Sequence, residues 1–201
     1  MATMTTEVAT EFRRRLLDGL AASIVADGYR STTVADIVRR ARTSRRTFYE
    51  HFASKEECFV ALLTESNARM VRRIAASVDQ RAPWPAQVRQ AVEAWIACVE
   101  SEPALTLSWI RDSPALGDAA RRLQRDTMEA FVTMIQTLCA TEQWRAAGIG
   151  PVSRQLAIML LGGLRELTAT TVEDGGHVRD ITDLAVRASV ALLGPGTAPG
   201  G

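Results

Sequence analysis

Apolar residues recur every three or four positions along almost the whole chain, and strand-like alternation between turn residues is missing. That spacing lines side chains along one face of a helix, so the chain is expected to fold as packed helices. Phe12, Leu16, Leu20 and Ile24 mark the first helix, which Gly28 follows; a left-handed residue closes a helix there at little cost. Thr32 or Thr33 offers an N-cap to a second, short helix carrying Val34, Ile37 and Val38, with Asp36 in its first turn. After a very short link, Ser44 caps a third helix reaching about Phe52. Ser54 and Glu57 form a capping box that opens a long helix to about Asp79. Further helices are expected at about 85–101, 116–142, 152–173 and 178–193, with a short segment holding Leu105, Leu107 and Trp109 between Pro103 and Pro114. The expected fold is all-α, about nine helices: a three-helix head over 1–53, a helical body over 54–193 whose 54–79 helix connects the two, and a disordered Gly/Pro tail over 194–201.

Composition narrows the function classes. The chain has 201 residues, 47% of them hydrophobic, enough for a core without a metal or disulfide staple. Cys58, Cys98 and Cys139 are far apart and odd in number, which fits neither a disulfide framework nor a zinc site; they suit a reducing cytosol. The first residues lack a secretory pattern, and the longest apolar and glycine run, Leu156–Leu164, is about half a bilayer span. A cytoplasmic protein with no membrane partner is expected. No Gly-x-Ser-x-Gly elbow, phosphate loop, His-x-x-x-His or dinucleotide fingerprint occurs, and only His51 and His177 offer imidazoles. An enzyme, a cofactor and a metal site are therefore not expected.

Charge is nearly balanced overall, at +1, but concentrated locally: Arg39, Arg40, Arg42, Arg45 and Arg46 lie within eight positions with no acid among them. The run falls at the short link between the second and third helices. Two helices joined this tightly make a helix-turn-helix, whose second helix presents its N-terminal residues to base edges in the major groove. Ser44, Arg45, Arg46 and Thr47 form that first turn. Arginine forks onto guanine, and serine or threonine bonds bases or phosphates. Tyr49 and His51 on the flank suit phosphate oxygens. Lys55, the only lysine, lies in the first turn of the next helix, where free N–H groups also favour an anion.

The stretch from Gly28 through Thr33-Val-Ala-Asp-Ile37 to Ala41, then Ser44-Arg-Arg-Thr-Phe-Tyr-Glu-His-Phe52, then Ser54-Lys-Glu-Glu57, resembles the DNA-binding domain of the tetracycline-repressor (TetR) family over about residues 8–63. The resemblance implies an all-helical subunit with a DNA-binding head and a variable body that binds a small effector and dimerises. Carried over by position, it places Ser44, Arg45, Arg46 and Thr47 in the groove. Tyr49, His51 and Lys55 would hold the DNA backbone, with Thr33 at the start of the second helix and Phe48 and Phe52 packing inward. Family members commonly carry glycine where Arg42 stands; a φ above zero there costs a non-glycine residue about 1 kcal/mol, while Arg42 could gain a phosphate contact.

In the body, aromatic and Met residues at helical spacing read either as core or as an apolar pocket. The resemblance places a pocket between the 54–79 and 152–173 helices, with Trp95, Trp109, Thr127, Phe131 and Met159 as its candidates. It also implies a homodimer through helices 152–173 and 178–193, where Leu156, Leu160, Gly163, Leu167 and Ile181, Leu184, Ala188, Leu192 form stripes and small residues allow close approach. The expected function is a sequence-specific regulator, a repressor released from a palindromic double-stranded operator by a small molecule. The alternatives are the same fold used as a thiol redox sensor or as an effector-independent DNA binder. The effector's chemistry is not readable from these motifs.

Overall fold

The computed structural model describes residues 2–195. Ten α-helices follow one another: α1 (Ala2–Ser31), α2 (Val34–Arg40), α3 (Arg45–His51), α4 (Lys55–Ser77), α5 (Trp84–Ser101), α6 (Pro103–Arg111), α7 (Gly117–Leu138), α8 (Glu142–Ala146), α9 (Arg154–Glu173) and α10 (Thr182–Leu193). Short 3-10 turns at Ser113–Ala115 and Val178–Ile181 lead into α7 and α10. No strand occurs among the described residues, so the all-α expectation holds. The expected tail lies outside the described residues from position 196 onward.

Local chemistry sets the helix ends. Gly28, at φ 76°, breaks α1 before its last residues. Thr33 caps α2 in a capping box: its Oγ1 accepts from the Asp36 N–H, and the Asp36 carboxylate accepts from the Thr33 N–H at 3.0 Å. Ser44 caps α3 by accepting from the Thr47 N–H at 3.0 Å. The Ser54 Oγ accepts from the Glu57 N–H, and the Glu57 carboxylate reaches back to the N–H of Ala53, one residue before the usual partner. Two boundaries differ from the sequence expectation. The helix expected over 116–142 ends at Leu138; Thr141 is extended (ψ 168°) and starts α8 as a separate turn of helix. The segment between Pro103 and Pro114 is itself helical over α6.

Contacts divide the chain into two compact units. The first comprises, of the described residues, 2–66 and 104–124. Its core joins Leu16, Leu20, Ile24, Ile37, Phe48, Phe52, Cys58, Phe59 and Leu63 of α1–α4 to Leu105 and Leu123. Residues 104–124 thus pack with the head, a grouping across about forty intervening residues that helix periodicity does not show. Asp112 accepts an ion pair from Arg30 at 2.8 Å in this unit, and Gln124 donates to the buried Ser113 hydroxyl at 2.9 Å.

The second unit comprises residues 67–103 and, of the described residues, 125–195. Its core is built from Val88, Val92, Ile96 and Val99 of α5, Val132 and Ile135 of α7, Trp144 of α8, Ala157 and Leu160 of α9, and Ala185, Val186 and Leu193 of α10. A buried amide organises it. The Trp144 indole N–H donates to the Gln87 Oε1 at 3.0 Å, and the Gln87 Nε2 donates to the carbonyls of Gln80 and Ala82.

Candidate nucleic-acid interface and ligand cavity

The turn between α2 and α3 closes on Arg42, the one non-glycine residue with positive φ (50°) among those described. The Arg42 N–H donates to the Arg39 carbonyl and the Thr43 N–H to the Val38 carbonyl, the paired bonds of a Schellman motif. The remaining carbonyls of Ala41 and Arg42 accept from the Arg15 guanidinium at 2.5 and 2.7 Å. Arg15 also lies over the half-buried Phe12 ring. This closure sets where α3 begins.

Phe48 of α3 is fully buried and Phe52, its C-cap, is 3% exposed, so one side of α3 is fixed in the head core. The other side stands in solvent: Ser44, Arg45, Arg46 and Tyr49 are exposed and Thr47 and His51 half-buried. Among the described residues the Arg45 side chain has no hydrogen-bond or ion-pair partner. Arg46 pairs with Glu50 one turn on, at 3.0 Å, with its own side chain 89% exposed. Such an exposed pair is worth about 0.3–0.5 kcal/mol, so it yields easily to a stronger partner. Tyr49 packs with its ring nearly perpendicular to that of the buried Phe48, centroids 5.3 Å apart, and is itself 59% exposed. Arg39 is paired with Asp36 and Arg40 with Asp27. Arg42 is exposed.

Two expected DNA-facing groups have other work. Lys55 Nζ donates to the carbonyls of Tyr29 and Thr32 at 3.1 and 2.9 Å and lies 4.3 Å from the Tyr29 ring centroid. Its ammonium therefore ties the start of α4 to the chain after α1, leaving one N–H at most for a phosphate. The Thr33 hydroxyl is held by Asp36 at 2.6 Å within the capping box.

In the second unit a cavity of about 100 Å³ opens among α4, α5, α7, α8, α9 and α10. Trp95 and Phe131 line it together with Ile74, Gln87, Met134, Leu138 and Leu160. Trp109, Thr127 and Met159 do not. Trp109 packs in the core of the first unit. Thr127 is buried, and its hydroxyl accepts from Asn67 Nδ2 at 3.2 Å, so that polar group is satisfied away from the cavity. Met159 is 65% exposed, because the next residue, Leu160, takes the inward position on α9. Sequence reasoning missed Gln87: a glutamine in a helix reads as surface, and nothing local signals that three partners bury it.

All three cysteines are buried and free. Burial pushes the Cys58 and Cys139 thiols up to about 12 and raises Cys98 as well. Among the described residues no group of three His, Cys, Asp or Glu side chains could hold a metal, and no helix is long and apolar enough to cross a membrane.

Among the described residues, the head displays an arginine-bearing helix from a capped helix-turn-helix, the arrangement that presents side chains to a DNA groove. Residues 16–62 match the family described as "Bacterial regulatory proteins, tetR family". The HTH-type transcriptional repressor AcnR of Corynebacterium diphtheriae is 27% identical over 122 residues, 57% of this chain and 64% of that one. The HTH-type transcriptional regulator YdgC of Bacillus subtilis is 35% identical over 68 residues, 34% of each chain. The matches thus span less than two thirds of these curated relatives. Among solved structures, the regulator FadR of Bacillus subtilis in complex with stearoyl-CoA has the same fold, with TM-score 0.76 over 92% of this chain and 99% of that one, at 14% identity. Over residues 16–62 the chain is thus similar to the tetR family of bacterial regulatory proteins, and over nearly its whole length it shares the fold of solved regulators.

Proposed function

We propose that the protein is a homodimeric repressor that reads a palindromic operator through α3 and leaves it when a small effector enters the cavity of the second unit. The observation that carries the reading is α3 itself, buried along Phe48 and Phe52 and open along Arg45, Arg46 and Tyr49, with Thr47 half-buried beside them. A helix anchored on one side and arginine-rich on the other is what major-groove readout requires. In this reading Ser44, Arg45, Arg46 and Thr47 meet bases, and Arg42, Tyr49 and His51 meet phosphates. Thr33 and Lys55 act mainly by fixing the ends of α2 and α4.

The effector site is supported by the cavity and by the stearoyl-CoA held by the structural relative FadR. α4 carries Phe59 and Leu63 in the head core and Ile74 on the cavity wall, with Val78 of that wall just past its end. A ligand that shifts α4 therefore acts on the head by population shift, and operator and effector oppose each other reciprocally. Dimerisation is assigned to α9 and α10. Met159, Gly162, Gly163, Leu184 and Ala188 are exposed there, two of them large apolar side chains beside small ones. Of the expected stripes, Leu160 turns inward and only Gly163, Leu184 and Ala188 face solvent. Burial of every thiol counts against a redox switch, since a sensor thiolate needs exposure and a low pKa.

The test is selection of bound sequences from a random duplex library with the purified protein. An enriched inverted repeat is expected. No enrichment at low salt, where phosphate contacts are strongest, overturns the reading.

A further inference from the structure

The cavity in the second unit has a wall with an unusual distribution of polar groups. None of its eighteen lining residues is charged. Two carry hydrogen-bonding amides or hydroxyls, Gln87 and Ser189, and both are already committed. Gln87 Nε2 uses both N–H groups on the carbonyls of Gln80 and Ala82, and its Oε1 accepts the Trp144 indole N–H. Ser189 donates to the Ala185 carbonyl of its own helix at 2.7 Å. The donors left over are the Trp95 indole N–H and the weak Cys139 thiol, both neutral.

From this wall we infer that the cavity's ligand is an uncharged, mainly hydrocarbon molecule, about one aromatic ring or a short alkyl chain in size, carrying at most one hydrogen-bond acceptor. The inference rests on the reading of this cavity as the effector site. A carboxylate or phosphate entering it would lose water and gain no cation and no set of N–H donors in return; an ammonium would find no carboxylate. A neutral ring displaces no bonded partner and meets Trp95, Phe131 and Leu160. The volume, about 100 Å³, is of the same order as the engineered apolar cavity of about 150 Å³ that takes up benzene. An acceptor such as a ketone or ester oxygen could be oriented by the single Trp95 N–H without needing more.

Three nearly isosteric probes separate the possibilities: ethylbenzene, phenylacetate and benzylamine. The full-length protein carries ¹³C-methyl methionine, with Met134 assigned by Met134→Leu. Met134 lines the cavity, while Met159, 65% exposed on α9, serves as the control. Ethylbenzene is expected to shift the Met134 methyl resonance saturably, leave Met159 unmoved, and bind at least tenfold more tightly than either ion. If an ion shifts Met134 with equal or greater affinity, the cavity remains a ligand site but its ligand class is wrong. If no probe moves Met134 at saturation, both the class and the effector-site reading fall. Binding of ethylbenzene at Met134 without any loss of operator affinity supports the class and overturns the release mechanism.

Discussion

Arg42 holds a left-handed backbone where glycine would cost nothing, and the Schellman bonds of the turn depend on that conformation. The strain of a non-glycine residue there is about 1 kcal/mol. Arg42→Gly is therefore expected to raise the thermal midpoint of the head, with the helical spectrum unchanged. If Arg42 offsets that strain by touching a phosphate, the same variant makes the slope of log affinity against log salt shallower by about 0.9 for each bound subunit. A stabler protein with an unchanged slope removes Arg42 from the interface. Lys55 makes the opposite case. Its two carbonyl bonds and the Tyr29 ring give it a structural role. Bonds to a charged group contribute about 1.5–3 kcal/mol each when partly buried, so Lys55→Met should lower the denaturant midpoint clearly while leaving the salt slope of DNA binding nearly intact. A slope change comparable to that of Arg45→Ala would restore Lys55 to the phosphate contacts. Both residues are conspicuous in the sequence, one as a departure from a motif and one as the only lysine. Their roles are not, because those depend on a backbone angle and on two carbonyls more than twenty positions away.

Among the elements, α3 is legible in the sequence: Ser44 as cap, Phe48 and Phe52 inward, the arginines outward all follow from a seven-residue helix and its neighbours. The double substitution Arg45→Ala/Arg46→Ala is expected to leave circular dichroism unchanged and to lower operator discrimination by about 1–3 kcal/mol for each base pair that the arginines read. Retention of full specificity would show that α3 is not the reading helix. The α1–α2 packing carries a feature that periodicity hides. Gly19 lies where α1 meets α2, and a Cβ there would stand 2.7 Å from the Ile37 carbonyl oxygen and 3.1 Å from the Ala41 nitrogen. Both are backbone atoms, so nothing flexible can yield. Gly19→Ala should destabilise the head by about 1–3 kcal/mol, read by urea denaturation, although alanine is the better helix former. A neutral or stabilising result would mean that the two helices are less closely packed than these distances indicate.

For the whole molecule, oligomeric state decides whether two recognition helices can meet two half-sites at once. Met159→Arg together with Leu184→Arg places two charges on the exposed apolar faces of α9 and α10. Sedimentation should report a monomer, and operator affinity should fall by orders of magnitude while the cavity still binds its ligand. A dimer that survives both charges places the interface elsewhere. At this scale the division between sequence and structure becomes clear. Helix periodicity, caps, the tight α2–α3 link and the inward phenylalanines are short-range relations, fixed by residues within a turn or two of one another, and a linear sequence displays them directly. Membership of 104–124 in the head core, the triple commitment of Gln87, and the choice of Leu160 over Met159 for the cavity are long-range. Adjacent apolar residues on a helix differ by about 100° in direction, and either can satisfy a local pattern. Which one is buried depends on the helices that pack against it, and that arrangement exists only once the chain has closed on itself.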